Sequence, residues 1–307
     1  MITESHTQDA FASWQESIVP PGVTGVQALS SVLKTILAGN SNPLVETINF
    51  GGFELGPGMV TVMGAPPASG KTTLAMQLIN EAIEMNGDAI GYVLNCEMSP
   101  KALMLRELSR ITGISQRSLR FGLIGDEDRQ LIVDAIEPIK YRYLRLRFVP
   151  GDASGIGSLA SARPGIILVD YLQRFNLGGG HDARANVNSL MAYLRQLADH
   201  GHAVLAISAT KRSADGKHDQ RELSLSSFRE SGEVEYAADA CYLLKVEPAN
   251  GSGTRRADLT CVKNRNGEPS DLTLLFDPSR TQFTADHDAS AYEWDPQENG
   301  NPFGGED

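Results

Sequence analysis

The chain has 307 residues, of which 41% are hydrophobic and 21% charged, with a formal net charge of −11. That length suits one large α/β domain or two small ones with a packed core. No apolar run approaches the ~20 residues of a membrane-spanning helix, and the start, MITESHTQDAF, has neither the basic nor the apolar region of a secretory signal. Cys96, Cys241 and Cys261 stand far apart without metal-ligand spacing. They read as reduced core residues of a cytoplasmic protein with no membrane partner. The acidic balance does not advertise nucleic acid. Seven of the acids, however, fall in residues 285–307, which hold no Lys or Arg. The remaining body is mildly acidic, and such a body can still carry a basic loop that touches phosphate.

In chain order, residues 1–22 are polar, end in Pro20-Pro21-Gly22 and read as a flexible segment. Residues 23–44 form a linker. Val26, Leu29, Val32, Leu33 and Ile36 recur at helical spacing before Gly39, which predicts a short amphipathic helix. It packs on its own chain or docks on a neighbouring subunit. From residue 45 to 284 strands and helices alternate. Strands are predicted at 59–63, 90–95, 144–149, 165–170 and 203–208, and helices at 70–86, 99–112, 126–139 and 186–200. Only about 15 residues separate the third and fourth strands, leaving room for a shortened helix. Alternation of this kind predicts a mostly parallel sheet covered on both faces. Strands at 240–246, 257–263 and 271–276, joined by Gly/Asn/Pro turns, predict an antiparallel extension. Residues 285–307 are an acidic tail with no core-forming pattern. Tyr292, Trp294 and Phe303 among its acids suit a peptide ligand for a protein partner or a mimic of single-stranded nucleic acid; the alternative is a solubilising tail.

The most informative stretch is VMGAPPASGKTT at 62–73. A strand feeds a small-residue turn that ends in Gly70-Lys71-Thr72 and opens a helix. Phosphate oxygens are cradled by backbone N–H groups of such a loop, Lys71 neutralises β/γ charge, and the Thr72 hydroxyl ligates Mg²⁺. The cofactor pair is ATP and Mg²⁺, and the contact set is Ala65, Ser69, Gly70, Lys71, Thr72 and Thr73. The strict pattern asks for glycine where Ala65 stands, and Gly64 lies one step earlier. Two apolar strands then end in acids. Gly165 to Asp170 offers a carboxylate for the metal. Tyr92 to Glu97 offers one that polarises water, or else a charge at the start of the next helix.

The segments GAPPASGKTTLAMQL, YVLNCEMSPKALMLREL, IILVDYLQR, SSFRESGEVEYAADACYLL and CVKNRNG follow in this order. Together they resemble the RecA-type motor domain of DnaB-like hexameric replicative DNA helicases, over roughly residues 45–285. The resemblance implies a RecA-like P-loop NTPase core. It also implies an ATP-hydrolysing, ring-forming helicase or translocase acting on single-stranded DNA in replication, as a homo-oligomer, a hexamer. The alternative is a RecA/KaiC-like ATPase that assembles on DNA or protein without unwinding. Residue by residue, the resemblance implies that Glu97 activates water, that Arg106 approaches the γ-phosphate of the same site, and that Asp170 holds metal with Thr72. Arg229, Glu230 and Gly232 would lie in the loop that touches the DNA backbone. Lys263 and Arg265 would reach across the subunit interface as a finger. Side chains alternate along a strand, so Lys263 and Arg265 project to one side. Two departures stand out. The helical N-terminal domain that docks primase in the family has no counterpart in residues 1–44. Ala209 occupies the position where the family places a glutamine that senses the γ-phosphate.

Overall fold

The computed structural model describes residues 45–286 except 46, 48, 179–182, 211–223, 229–233, 235 and 249–252, together with residue 29. The chain divides into two units, Met1–Pro43 and Leu44–Asp307. In the second unit nine strands form one sheet: β1 (Val60–Ala65), β2 (Gly91–Asn95), β3 (Leu146–Pro150), β4 (Ile166–Asp170), β5 (Ala203–Ala209), β6 (Ala240–Val246), β7 (Arg255–Asn264), β8 (Leu272–Asp277) and β9 (Gln282–Ala285). Their order is β3-β2-β4-β5-β1-β6-β7-β8-β9. The first six in that order pair in parallel, and β7, β8 and β9 continue antiparallel. The fold is therefore α/β, with a mostly parallel central sheet and an antiparallel C-terminal extension.

Helices α1 (Lys71–Met85), α2 (Pro100–Thr112), α3 (Gln116–Phe121), α4 (Asp126–Leu144), α5 (Ala153–Leu159) and α6 (Ala183–Asp199) accompany the sheet. Continuous apolar runs such as Ile166–Val169 can exist only because both faces of a strand are covered. The two coverings appear as two core clusters. One joins α1 (Leu74, Leu78, Ile79) to the alternate strand residues Met63, Val93, Leu168, Leu205 and Tyr242 and to β8 and β9. The other joins α6 (Val187, Leu190, Met191, Leu194) to Val62, Leu94, Ile167, Val169 and Val204.

The predicted parallel strands and long helices occur, with ends moved by a few residues. Helix α4 runs past the predicted end at residue 139 to Leu144, where Arg142 of its last turn pairs with Glu84 and Glu107. The short helix predicted before β4 is α5, opened by Asp152, whose side chain accepts from the Gly155 backbone N–H. Two elements have no sequence-based counterpart, α3 and β9. Each is six residues or fewer, too short for a periodic pattern to declare itself.

Strand β1 leads directly into the loop before α1, and α1 crosses over β5 and β4 to reach β2. The carboxyl ends of β1, β4 and β5 thus border the crevice that open α/β sheets use for ligands.

Candidate functional site

The loop 66–70 links buried β1 to α1. Gly70 has φ 81°, and a Cβ there would meet the stacked rings of Phe276 and Phe283 at 3.0–3.1 Å. Backbone freedom and lack of volume are both required at that position. Ala68 also sits at positive φ, 61°, and Ser69 donates to the Pro66 carbonyl at 2.8 Å. Ala65 is the last, fully buried residue of β1. Gly64 is a packing glycine: a Cβ there would lie 2.6 Å from the Phe228 ring and 2.8 Å from Leu243.

The first turn of α1 carries Lys71, Thr72 and Thr73, both threonines being buried. The Thr72 hydroxyl donates to Asp170 Oδ2 at 2.8 Å. Lys71 Nζ lies 5.7 Å from the centre of the Tyr171 ring. Asp170 ends β4 fully buried, and its Oδ1 has no hydrogen-bond partner. Burial pushes its carboxyl above the usual carboxylate range, against the opposing pull of the Thr72 hydrogen bond and the Lys71 charge. A buried carboxylate oxygen without a donor, beside a threonine hydroxyl at a helix start, fits a hard divalent cation. Thr72 and Asp170 would hold it.

Glu97 lies in the loop after β2, exposed, two residues before the Ser99 cap of α2. Its charge acts on both Asp170 and Arg106. Arg106, on α2, lines a small cavity with Thr72, Thr73, Leu103 and Thr281. Its Nε is buried without a partner, and burial lowers its pKa against the raising effect of Asp170 and Glu97. An unpaired guanidinium nitrogen in a cavity beside the α1 start suits an anion. Ala65, Ser69, Gly70, Lys71, Thr72, Thr73, Glu97, Arg106 and Asp170 thus cluster at the carboxyl end of the sheet.

Lys263 and Arg265 do not join them. Through the registers Thr61↔Ala240 and Ala240↔Asn264, Arg265 stands level with the amino end of β1. Six residues of strand, ~17–20 Å at 3.3 Å each, separate it from the loop at the other end. There Lys263 Nζ donates to the Ala238 carbonyl at 2.6 Å, and Arg265 pairs with Asp239 at 3.3 Å and donates to the Tyr236 carbonyl. Arg229, Glu230 and Gly232 lie outside the described residues.

Three site residues escaped the sequence reading. Asn95 accepts from the backbone N–H of Glu97 (2.8 Å) and Met98 (2.6 Å) and donates to Asp170 Oδ2 at 3.1 Å, so it ties the Glu97 loop to the Asp170 carboxylate. Gln173 donates to Ser208 Oγ at 2.9 Å and accepts from the Ala209 N–H at 3.0 Å. A glutamine side chain therefore does reach the end of β5, but from the turn after β4. Thr281 donates to the Arg106 carbonyl at 2.8 Å, from the hairpin turn before β9. Only Asn95 left a signal, a polar residue within an apolar strand. Beside Glu97, burial and then the Asp170 charge push the Cys96 thiol up to about 11, which disfavours its thiolate.

The DnaB-like helicase C terminal domain model matches residues 49–285. The chain belongs to that family. A probable plasmid replicative DNA helicase of Chlamydia muridarum is 28% identical over 251 residues, 78% of this chain and 53% of that protein. The chain spans about half the length of such curated relatives. A solved structure of a separate ATPase domain superposes with TM-score 0.70 at 18% identity, over 86% of this chain and 99% of that one. A DnaB-like replicative helicase solved in a study of its interactions with primase gives TM-score 0.71 at 18% identity, over 91% of this chain and 70% of that one. At these identities the superpositions show the fold, which is that of DnaB-like motor domains.

Proposed function

We propose that this DnaB-family chain is an ATP-hydrolysing, ring-forming helicase or translocase acting on single-stranded DNA in replication, in the cytoplasm. The observation that carries the reading is the Thr72–Asp170 contact at the start of α1, with the second Asp170 oxygen unpartnered. Bound Mg²⁺ would neutralise charge building on the transferred phosphoryl group. The chain's own groups do the rest. Loop N–H groups from Ser69 to Thr73 and Lys71 hold the triphosphate, Arg106 faces its far end, and Glu97 orients and deprotonates water. Asn95 keeps Glu97 and Asp170 in one frame.

Lys263 and Arg265 stand at the other end of the sheet from Lys71, which supports a ring in which they serve as a cationic finger for a second subunit. Such fingers supply on the order of 10³–10⁵ in rate. Single-stranded DNA is assigned to Arg229, Glu230 and Gly232 on the family resemblance, and a hexamer on the same ground. The acidic tail is offered to a protein partner. A second reading, a KaiC-like ATPase that assembles without unwinding, is favoured by the apolar side chain of Ala209.

The test measures native mass with and without ATP and Mg²⁺, then hydrolysis and strand displacement with and without single-stranded DNA. A nucleotide-dependent ring, DNA-stimulated hydrolysis and displacement are expected. A ring that hydrolyses but never displaces a strand selects the second reading. A monomer that hydrolyses at full rate rejects both.

A further inference from the structure

We propose that Asp239 is the positioning residue for the Arg265 finger, seating the guanidinium so that it meets the neighbouring subunit's nucleotide in one orientation. This rests on the trans-finger reading of the proposed function. Asp239 precedes β6, and its side chain is 14% exposed. Its Oδ2 accepts from the Val60 backbone N–H at 2.8 Å and from Arg195 Nη1 at 2.6 Å. Its Oδ1 accepts from Arg265 Nη1 at 3.3 Å, and its backbone carbonyl accepts from the Arg265 N–H at 2.9 Å. Arg265 Nη2 donates to the Tyr236 carbonyl, and Lys263 Nζ to that of Ala238. The turn 236–239 is thus a common seat for both finger cations.

The two guanidiniums on this carboxylate differ. Arg195 is also tied to Asp199 at 3.0 Å and to the Gly58 carbonyl, so it braces the carboxylate against α6 and the start of β1. Arg265 is 46% exposed. An exposed pair of that kind adds little to stability. What it does is narrow the orientations of a long side chain. The two contacts use one N–H on each terminal nitrogen, and a guanidinium has five, so donors remain for a phosphate on the partner. A finger acts through alignment, and a displacement of 1 Å costs on the order of 10²-fold in rate.

The test is subunit mixing with Asp239→Asn, which keeps the acceptor for Val60 and removes the charge. The variant is expected to bind ATP at its own loop with unchanged Kd and to lose about 10²-fold in turnover. Mixed with Lys71→Ala, it should regain hydrolysis above the sum of the parents, because some interfaces then join an intact loop to an intact finger. Mixed with Arg265→Ala it should regain none. The double variant Asp239→Asn/Arg265→Ala should be no slower than Arg265→Ala alone. Near-normal turnover of Asp239→Asn, a slower double variant, or failure to recover with Lys71→Ala while Arg265→Ala does recover with it, overturns the proposal. If Arg265→Ala and Lys71→Ala also fail to complement in assemblies shown to form, the trans finger itself falls and the proposal with it. Asp239→Glu, which keeps the charge and moves it by one methylene, enters the same mixtures with the same expectations if the asparagine variant does not fold.

Discussion

Asp170 shows how a site residue is held against its own stability. Its carboxyl is raised by burial in the fold and ordinary in the unfolded chain. The folded state therefore keeps the proton to higher pH than the unfolded state does. Below the unfolded value both states are protonated and no penalty arises; as pH rises through the folded value the buried charge costs stability in full. Asp170→Asn removes that charge and still offers an oxygen to Thr72 and Asn95. Without nucleotide or metal, its melting temperature relative to wild type should climb between pH 4 and pH 8, while Mg²⁺-dependent hydrolysis is lost. A relative melting temperature that falls across that range would contradict the reading that burial outweighs the hydrogen bonds and charge that stabilise the Asp170 carboxylate. Glu97 is the opposite case, exposed and free to meet water. Glu97→Gln should bind ATP normally and lose roughly 10²–10⁴-fold in turnover, the usual share of a general base. Hydrolysis near wild type would leave Glu97 as a charge before α2 and nothing more.

At the scale of elements, β9 does more than lengthen the sheet. Gln77 on α1 donates to the Phe283 carbonyl at 2.7 Å and accepts from its N–H at 2.9 Å. The Phe283 ring stacks on Phe276 at 4.3 Å and both press on Gly70. The last described strand thus braces the phosphate loop from more than 200 residues away. Phe283→Ala should cost about 3–5 kcal/mol, the range for a buried phenylalanine, and should weaken ATP binding as well. Thermal unfolding and nucleotide titration check the two parts; lost stability with unchanged affinity would uncouple β9 from the loop. None of this was legible in QFTA, where two apolar residues in four are compatible with any structure. Strands β1, β4 and β5 were legible, because apolar runs between polar turns can be satisfied only by burial on both faces.

At the scale of the whole molecule, Arg265 stands apart from Lys71, and on the proposed function it serves the site of a neighbouring subunit. On the proposed function, the Arg229 segment touches the backbone of single-stranded DNA. Arg229→Ala should weaken single-stranded DNA binding similarly across sequences and make the salt dependence of the affinity shallower, by about one phosphate contact (~0.7 in log–log slope). DNA-free hydrolysis should not change. Fluorescence titrations at several salt concentrations decide it, and an unaltered affinity and slope would move the DNA site elsewhere.

The amino-acid sequence by itself determined the chemistry of the phosphate loop, because a strand, a small-residue turn and Gly-Lys-Thr at a helix start depend on neighbours along the chain. It likewise determined the parallel sheet, the acid Asp170 at the end of β4 and the acid Glu97 just beyond β2, because an apolar run followed by a carboxylate is a local pattern. Only the tertiary structure decided what sits beside what. Asn95 bridges Glu97 to Asp170, Gln173 reaches the strand end where Ala209 has no polar group, and Gly64 makes way for Phe228. It also decided that Arg265 answers to Asp239 and stands apart from Lys71. Most of these contacts join residues tens to hundreds of positions apart. Strand order and register set them, and no local pattern of residues encodes which strand end will face which.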